Sequence, residues 1–141
     1  MNYLLDTCLL SEFMKPRENR GVIEWFDKQD DETLYISVLA IGEIQKGIAK
    51  LGASKRAGEL NSWLDLVVMR FDTRILPFDI IMANRWGNLK ADLESKGRPM
   101  PVVDSLMAAT ALARDLTLVT RNTQDFASTG VKIFDPWDQK K

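Results

Sequence analysis

The chain has 141 residues, of which 45% are hydrophobic, and its formal net charge at pH 7 is −1. This length is typical of one globular domain, so we predict a single domain over residues 1–141, and the balanced charge argues against a general nucleic-acid-coating protein. The chain has no histidine and a single cysteine, Cys8, which excludes an internal disulfide, Ser-His-Asp and Cys-His sites, and histidine-ligated zinc. It also has no membrane-length apolar run and no signal-peptide pattern, so we expect a cytoplasmic protein.

The first half of the chain alternates strand-like and helix-like segments. Residues 2–6 and 34–37 are short and β-prone, which predicts two strands. Residues 22–26 follow a polar turn and have an amphipathic pattern, and apolar residues recur at steps of three and four in 41–51 and 54–71. This spacing predicts three helices, the second of them ending at Gly52.

The second half continues the alternation. Residues 75–78 are short and extended, and Asp79 is placed to cap a helix that runs to about residue 93. A segment rich in Gly and Pro, 95–101, interrupts the pattern. Residues 104–113 are apolar on nearly all sides, which indicates a helix buried in the domain, and strands are predicted at 116–120 and 131–134.

Strands that alternate with helices predict an α/β domain with a mainly parallel central sheet. In such sheets, ligands bind at the carboxyl ends of the strands. Asp6 ends the first strand, Thr120 ends a later one, and Asn122 and Asp125 follow it, while Asp104 opens the buried helix just before that strand. We therefore expect these residues to meet at one edge of the sheet.

Two of the acidic residues have simpler interpretations. Asp6 is also suited to cap a helix that starts near Leu9. Glu43 lies within an apolar helical stripe, and its neighbour three positions on is Lys46, so a surface ion pair is the alternative to a functional role. An acid this close to an apolar stripe is costly to bury unless a cation is near.

Two further acids also have structural alternatives. Asp104 has the position of a helix N-cap, and Asp125 has the position of a plain loop acid. Considered together, the acids beside the sheet edge form a coherent pattern. Clustered carboxylates raise each other's pKa, and a bound divalent cation relieves this repulsion. Oxygen ligands favour Mg²⁺ or Mn²⁺.

Four segments, in order and spread over nearly the whole chain, resemble the PIN-domain toxins of the VapC and FitB type. They are Leu4-Leu5-Asp6-Thr7, then Ile36-Ser37 followed by Glu43-Ile44-Gln45-Lys46-Gly47, then Asp104 before Ala108-Ala109-Thr110-Ala111, and finally the run from Leu118 to Phe126. The resemblance implies a PIN-like α/β/α sandwich. It also implies an endoribonuclease that requires Mg²⁺ or Mn²⁺, an RNA substrate, a cognate antitoxin, and assembly as a homodimer within a larger toxin–antitoxin complex.

The resemblance also assigns roles to individual positions. Asp6, Glu43 and Asp104 match the three core acids of the family, which hold the metal, and Thr120 matches a hydroxyl residue beside them. The fourth acidic position corresponds either to Asn122 or to Asp125, and Asp125 is our candidate fourth metal ligand. One departure stands out, because the family usually has Asn at the position of Cys8.

Other residues and other functions stay open at this point. Arg121 and Lys46 are candidate contacts to the RNA backbone, or else solvated surface charges, and the four tryptophans either stack on bases or pack in the core. An inactive PIN-fold protein-interaction module is the main alternative function. A haloacid dehalogenase-type phosphatase is a weaker one, because that class needs a second Asp where this chain has Cys8.

Overall fold

The computed structural model describes residues 1–138, which form five short strands with helices around them. The strands are β1 (Tyr3–Leu5), β2 (Leu34–Ser37), β3 (Ile75–Leu76), β4 (Thr117–Val119) and β5 (Ile133–Phe134). The α-helices of this part of the chain are α1 (Thr7–Glu12), α2 (Arg20–Asp27), α3 (Val38–Ala49), α4 (Lys55–Phe71), α5 (Ile80–Ser95), α6 (Val102–Arg114) and α7 (Thr123–Phe126). None of the helices in residues 1–138 is long and apolar enough to cross a lipid bilayer.

The strands form one sheet in the order β3-β2-β1-β4-β5, and each neighbouring pair is parallel. The prediction of an α/β fold with a mainly parallel sheet is therefore confirmed. The chain adds β2 and β3 on one side of β1, and then places β4 and β5 on its other side. This reversal lies between β1 and β4, and it opens a crevice at the carboxyl ends of these strands.

The two central strands are buried on both faces, as expected when helices cover a parallel sheet. Leu4 and Leu5 of β1 and Leu118 and Val119 of β4 have no exposed surface. Burial of a leucine-sized side chain contributes roughly 1.5–3 kcal/mol relative to exposure. The strand ends are consequently held by fully buried core residues.

The predicted helices are present, and side chains cap the N-termini of α2, α3, α4 and α5. Asp79 accepts a hydrogen bond from the Met82 amide at 2.9 Å and so caps α5, as predicted. Gly52 follows α3 with a φ of +66°, a conformation that glycine adopts without strain.

Three local expectations are corrected. Asp6 does cap a helix, but α1 begins directly at Thr7 and not near Leu9. Residues 123–126 form the short helix α7, so Asp125 lies in a first helical turn and not in a plain loop.

The third correction concerns Asp104, which is not an N-cap. Helix α6 begins at Val102 after Pro101, so Asp104 lies in its first turn, where the helix dipole favours an acid. The indole of Trp86 on α5 donates to the Ser105 hydroxyl at 2.8 Å, and that hydroxyl donates to the Val102 carbonyl. These bonds fix the first turn of α6 against α5 and thereby position Asp104.

Candidate active site

The register of β1 and β4 brings Asp6 and Thr120 together. Leu5 pairs with Val119, so the next residue of each strand lies at the same edge of the sheet. The Thr120 hydroxyl donates to Asp6 Oδ2 at 2.8 Å, and the Asn122 amide donates to the same hydroxyl at 3.0 Å. The expectation that strand ends would gather these residues is confirmed for this pair.

Asp6 is buried, with 5% of its surface exposed. Its second oxygen, Oδ1, accepts a hydrogen bond from the Thr7 amide at 2.8 Å. Burial raises the pKa of Asp6 and the nearby charge of Glu43 adds to this, while the hydrogen bonds from Thr120 and Thr7 act in the opposite direction. The net result is a carboxyl whose pKa lies above its ordinary value.

Glu43 reaches the same place from the second turn of α3. Ser37 caps this helix by accepting a hydrogen bond from the Leu39 amide, so α3 starts at the carboxyl end of β2. The Thr7 hydroxyl donates to Glu43 Oε1 at 2.7 Å. Lys46 is exposed and forms no ion pair with Glu43, so the surface-pair interpretation of Glu43 is wrong.

Asp104 approaches from α6 and is half-buried. Its pKa is raised to about 6, first by burial and then by the charges of Asp6, Asp125 and Glu43. Within residues 1–138, its carboxylate accepts no side-chain or backbone hydrogen bond to offset this repulsion. Asp104 is therefore an acid beside other acids, without the donors that stabilise Asp6.

These side chains line one open pocket of about 420 Å³. Its walls are Asp6, Thr7, Cys8, Ser11, Lys15, Glu43, Asp104, Arg121 and Asn122. The pocket lies at the topological reversal between β1 and β4. It combines three carboxylates with two cations, an arrangement suited to a ligand that carries both a metal ion and phosphate groups.

The donors of the pocket fit a hard divalent cation. Within the described residues, no group of three or more Asp, Glu, His or Cys side chains is close enough to enclose an ion. Mg²⁺ often keeps several water molecules and takes only one or two carboxylates, so a set of this kind is compatible with it. Burial, with the charges of neighbouring acids, raises the pKa values of Asp6 and Asp104, and a cation would offset both effects.

The sequence profile of the PIN domain matches residues 3–132 of the chain. This chain belongs to the PIN domain family. The match covers strands β1 to β4 and helices α1 to α7. It also includes each of the pocket residues.

This PIN domain is similar over nearly its full length to two bacterial relatives. It is 34% identical over 136 residues to VapC ribonuclease Y4jK of Sinorhizobium fredii, with 96% of this chain and 97% of the relative covered. It is 33% identical over 135 residues to Toxin FitB of Neisseria gonorrhoeae, with 95% and 97% covered. A solved structure of FitAB bound to an IR36 DNA fragment superposes with a TM-score of 0.92 at 31% identity, covering 99% of this chain and 98% of that one.

The two candidates for the fourth acidic position differ in where they lie. Asn122 is part of the pocket wall of the PIN domain. Asp125 is exposed on α7 outside that wall, although its charge raises the pKa of Asp104. Arg121 lines the pocket, whereas Lys46 does not.

Cys8 occupies a defined position beside the acids. Its Sγ atom lies 3.7 Å from Asp6 Oδ2 and 3.5 Å from the Thr120 hydroxyl oxygen. Burial, followed by the charge of Asp6, raises the pKa of the Cys8 thiol to about 11. The thiol is consequently protonated at neutral pH and serves as a weak donor, not as a reactive thiolate.

Sequence reasoning missed three pocket residues, Thr7, Ser11 and Lys15. Thr7 and Ser11 are spaced four residues apart, which puts them on one face of α1, and Lys15 lies in the bend that follows this helix. This signal was available once a helix was assumed to begin at Thr7. An assumed start near Leu9 concealed it.

The raised pKa of Asp104 predicts a stability profile that depends on pH. Its folded-state pKa is about 6 against an ordinary value of 3.8, so the folded protein holds a proton that the unfolded chain has lost. The free energy of unfolding should therefore fall as pH rises from about 4 to about 6 in metal-free buffer. Asp104→Asn should remove this contribution, on the order of 1 kcal/mol once solvent screening of a half-buried group is included.

Urea unfolding of both proteins with chelator, measured from acidic to neutral pH, tests this expectation. Asp65→Asn, which changes an exposed acid on α4, is the matched control. Asp104 would instead be a structural residue if Asp104→Asn is much less stable than wild type at every pH and its free energy of unfolding depends on pH as that of the wild type does.

Proposed function

We propose that this PIN domain is a metal-dependent endoribonuclease and the toxin of a type II toxin–antitoxin system. The observation that carries the proposal is the gathering of Asp6, Glu43 and Asp104 from three separate elements into one pocket. The names of the two relatives, a VapC ribonuclease and the toxin FitB, support it.

Carboxylates of the pocket would hold Mg²⁺ or Mn²⁺. Asp6 and Asp104 would be the main ligands, with Asp125 as the candidate fourth acid, and Glu43 would either ligate the ion or orient the attacking water as a base. When bound, the cation supplies positive charge for the phosphodiester and lowers the pKa of a coordinated water.

Two hydroxyl groups and one backbone amide of the chain hold these carboxylates in position. Thr120 and the Thr7 amide hydrogen-bond Asp6, which favours its ionised form in a buried place. The Thr7 hydroxyl holds Glu43 at a fixed orientation relative to Asp6. Thr7 therefore couples the two carboxylates and is a positioning residue in this mechanism.

An antitoxin would bind the same pocket. Its excess of carboxylates suits a partner that inserts an arginine, because guanidinium–carboxylate pairs are strong and directional. The solved assembly of FitAB on DNA supports a partner chain for this protein as well. We also expect a homodimer within the complete toxin–antitoxin assembly.

The first expectation concerns cleavage. Protein purified without antitoxin should cleave RNA with Mg²⁺ or Mn²⁺ and stop when a chelator is added. Asp6→Asn should lower kcat by about 100-fold or more, because it removes charge from the centre of the cluster. Gel analysis of labelled RNA measures this, and Asp65→Asn is the control for a lost surface charge. Cleavage that survives both the chelator and Asp6→Asn excludes a metal mechanism, and a wild type that never cleaves favours the interaction module.

The second expectation concerns Thr7. Thr7→Val keeps the shape and the backbone amide but removes the hydroxyl that holds Glu43, so kcat should fall about tenfold to 100-fold. Thr7→Ser retains the hydroxyl and should keep most of the activity. Equal rates for the two variants would mean that the hydrogen bond to Glu43 has no part in catalysis.

The third expectation concerns toxicity. Induction of the protein alone should slow bacterial growth, and Asp104→Ala should relieve the effect at equal protein level because the cluster loses a carboxylate. Growth curves with immunoblots of both proteins give the measurement. If wild type and Asp104→Ala are equally harmless, the toxin role is wrong even when RNA is cleaved in vitro.

A further inference from the structure

Two cations lie on the wall of the acidic pocket and have no part in the mechanism above. Lys15 and Arg121 both line it, together with the three carboxylates. RNA carries a negative charge at every phosphate, so the acids alone would repel the strand on either side of the scissile bond. The inference that follows concerns these two cations, and it rests on the proposed function.

A buried acid outside the metal cluster connects them. Glu12, at the end of α1, is only 2% exposed. It accepts hydrogen bonds from Lys15 Nζ at 3.1 Å, from the Asn19 amide at 2.8 Å and from the Trp137 indole at 3.1 Å. Burial raises the pKa of Glu12, but these donors together bring it below the ordinary value. Glu12 is thus a fixed anion with its own partners.

Trp137 extends this connection to Arg121. The Arg121 guanidinium lies 5.1 Å from the centre of the Trp137 ring, within the range of a cation–π contact. Among the side chains of residues 1–137, it has no carboxylate partner within ion-pair distance. Stacking restrains the guanidinium while leaving its N–H groups available to an anion.

We propose that Lys15 and Arg121 form a phosphate clamp, which binds RNA phosphates next to the scissile one. Glu12 positions both cations, Lys15 by a direct ion pair and Arg121 through Trp137. Lysine contributes a point charge, and arginine contributes paired donors that match two phosphate oxygens. The preferred substrate is accordingly an oligonucleotide with phosphates flanking the cleaved bond, not an isolated phosphodiester.

The clamp is tested by changing Arg121 and measuring cleavage and binding of a mixed-sequence oligoribonucleotide pool. Arg121→Gln should raise KM about tenfold, as expected for one lost charge-assisted hydrogen bond, with kcat nearly unchanged. The logarithm of the RNA association constant falls linearly with the logarithm of the salt concentration, and the magnitude of this slope should decrease by about 0.7, the value for one phosphate contact on a single strand. Arg85→Gln removes the same charge from the exposed face of α5 and should change neither quantity.

The positioning role is tested at Trp137. Trp137→Leu removes both the ring beneath Arg121 and the N–H that binds Glu12, so KM should rise toward the value for Arg121→Gln. Adding Trp137→Leu to Arg121→Gln should raise KM no further, because the two residues act as one unit. A purely structural role predicts additive losses and a fall in kcat instead. Thermal melting identifies any variant that fails to fold, and Trp137→Met, which is larger than leucine but also lacks an aromatic ring and an N–H, then replaces Trp137→Leu with the same expected outcomes.

The outcomes separate the clamp from the nuclease. If wild type cleaves RNA but Arg121→Gln matches Arg85→Gln in KM and salt slope, the clamp is wrong and the nuclease stands. If wild type does not cleave RNA, the nuclease proposal fails, and the clamp is then tested only by binding of the labelled oligoribonucleotide pool. Binding that is weakened by Arg121→Gln and not by Arg85→Gln then supports the clamp, and equal binding, or none, overturns it.

Discussion

The hydrogen bond from the Thr120 hydroxyl to the buried Asp6 carboxylate joins the two central strands where the pocket opens. It depends on the parallel register of β1 and β4, which carries both residues to the same edge of the sheet. Asp6 also caps α1 through the Thr7 amide, so one carboxylate orients the helix that provides Thr7 and Ser11. The Thr7 hydroxyl then extends the contact to Glu43. Much of the pocket thus depends on contacts that begin at one buried acid, Asp6.

Two acids of this protein, the buried Glu12 and the half-buried Asp104, show how the surroundings of a carboxylate decide whether it stabilises the fold or binds a ligand. Glu12 is satisfied by three donors, and its pKa lies below the ordinary value. Burial, followed by neighbours of the same charge, raises the pKa of Asp104 to about 6. Such an acid favours any ligand that brings positive charge, whether a divalent cation or the guanidinium of a partner. The acids of the pocket are therefore suited to binding positive charge, while Glu12 organises the structure beside it.

The secondary structure was largely predictable because the long helices have a clear apolar pattern and most also have a side-chain cap, as α5 has in Asp79. Most of the errors fall on short elements. Helix α1 has six residues and α7 has four, too few for periodicity to be visible. The start of α6 was placed two residues late because Asp104 resembles an N-cap, whereas Pro101 precedes the first helical residue. The candidate acids were identified by pattern and family resemblance, but Thr7, Lys15 and Glu12 were not.

The sequence by itself determined the α/β alternation, the absence of histidine chemistry, and the restriction to carboxylate and hydroxyl groups, since these follow from composition and local period. Only the tertiary structure decided which acids meet, because their meeting depends on strand order and register between segments far apart in the chain. It alone showed that Glu43 binds Thr7 and not Lys46, and that Trp137 lies against Arg121. These contacts have no local signal, since a side chain's partner is set by packing in three dimensions and not by its neighbours along the chain.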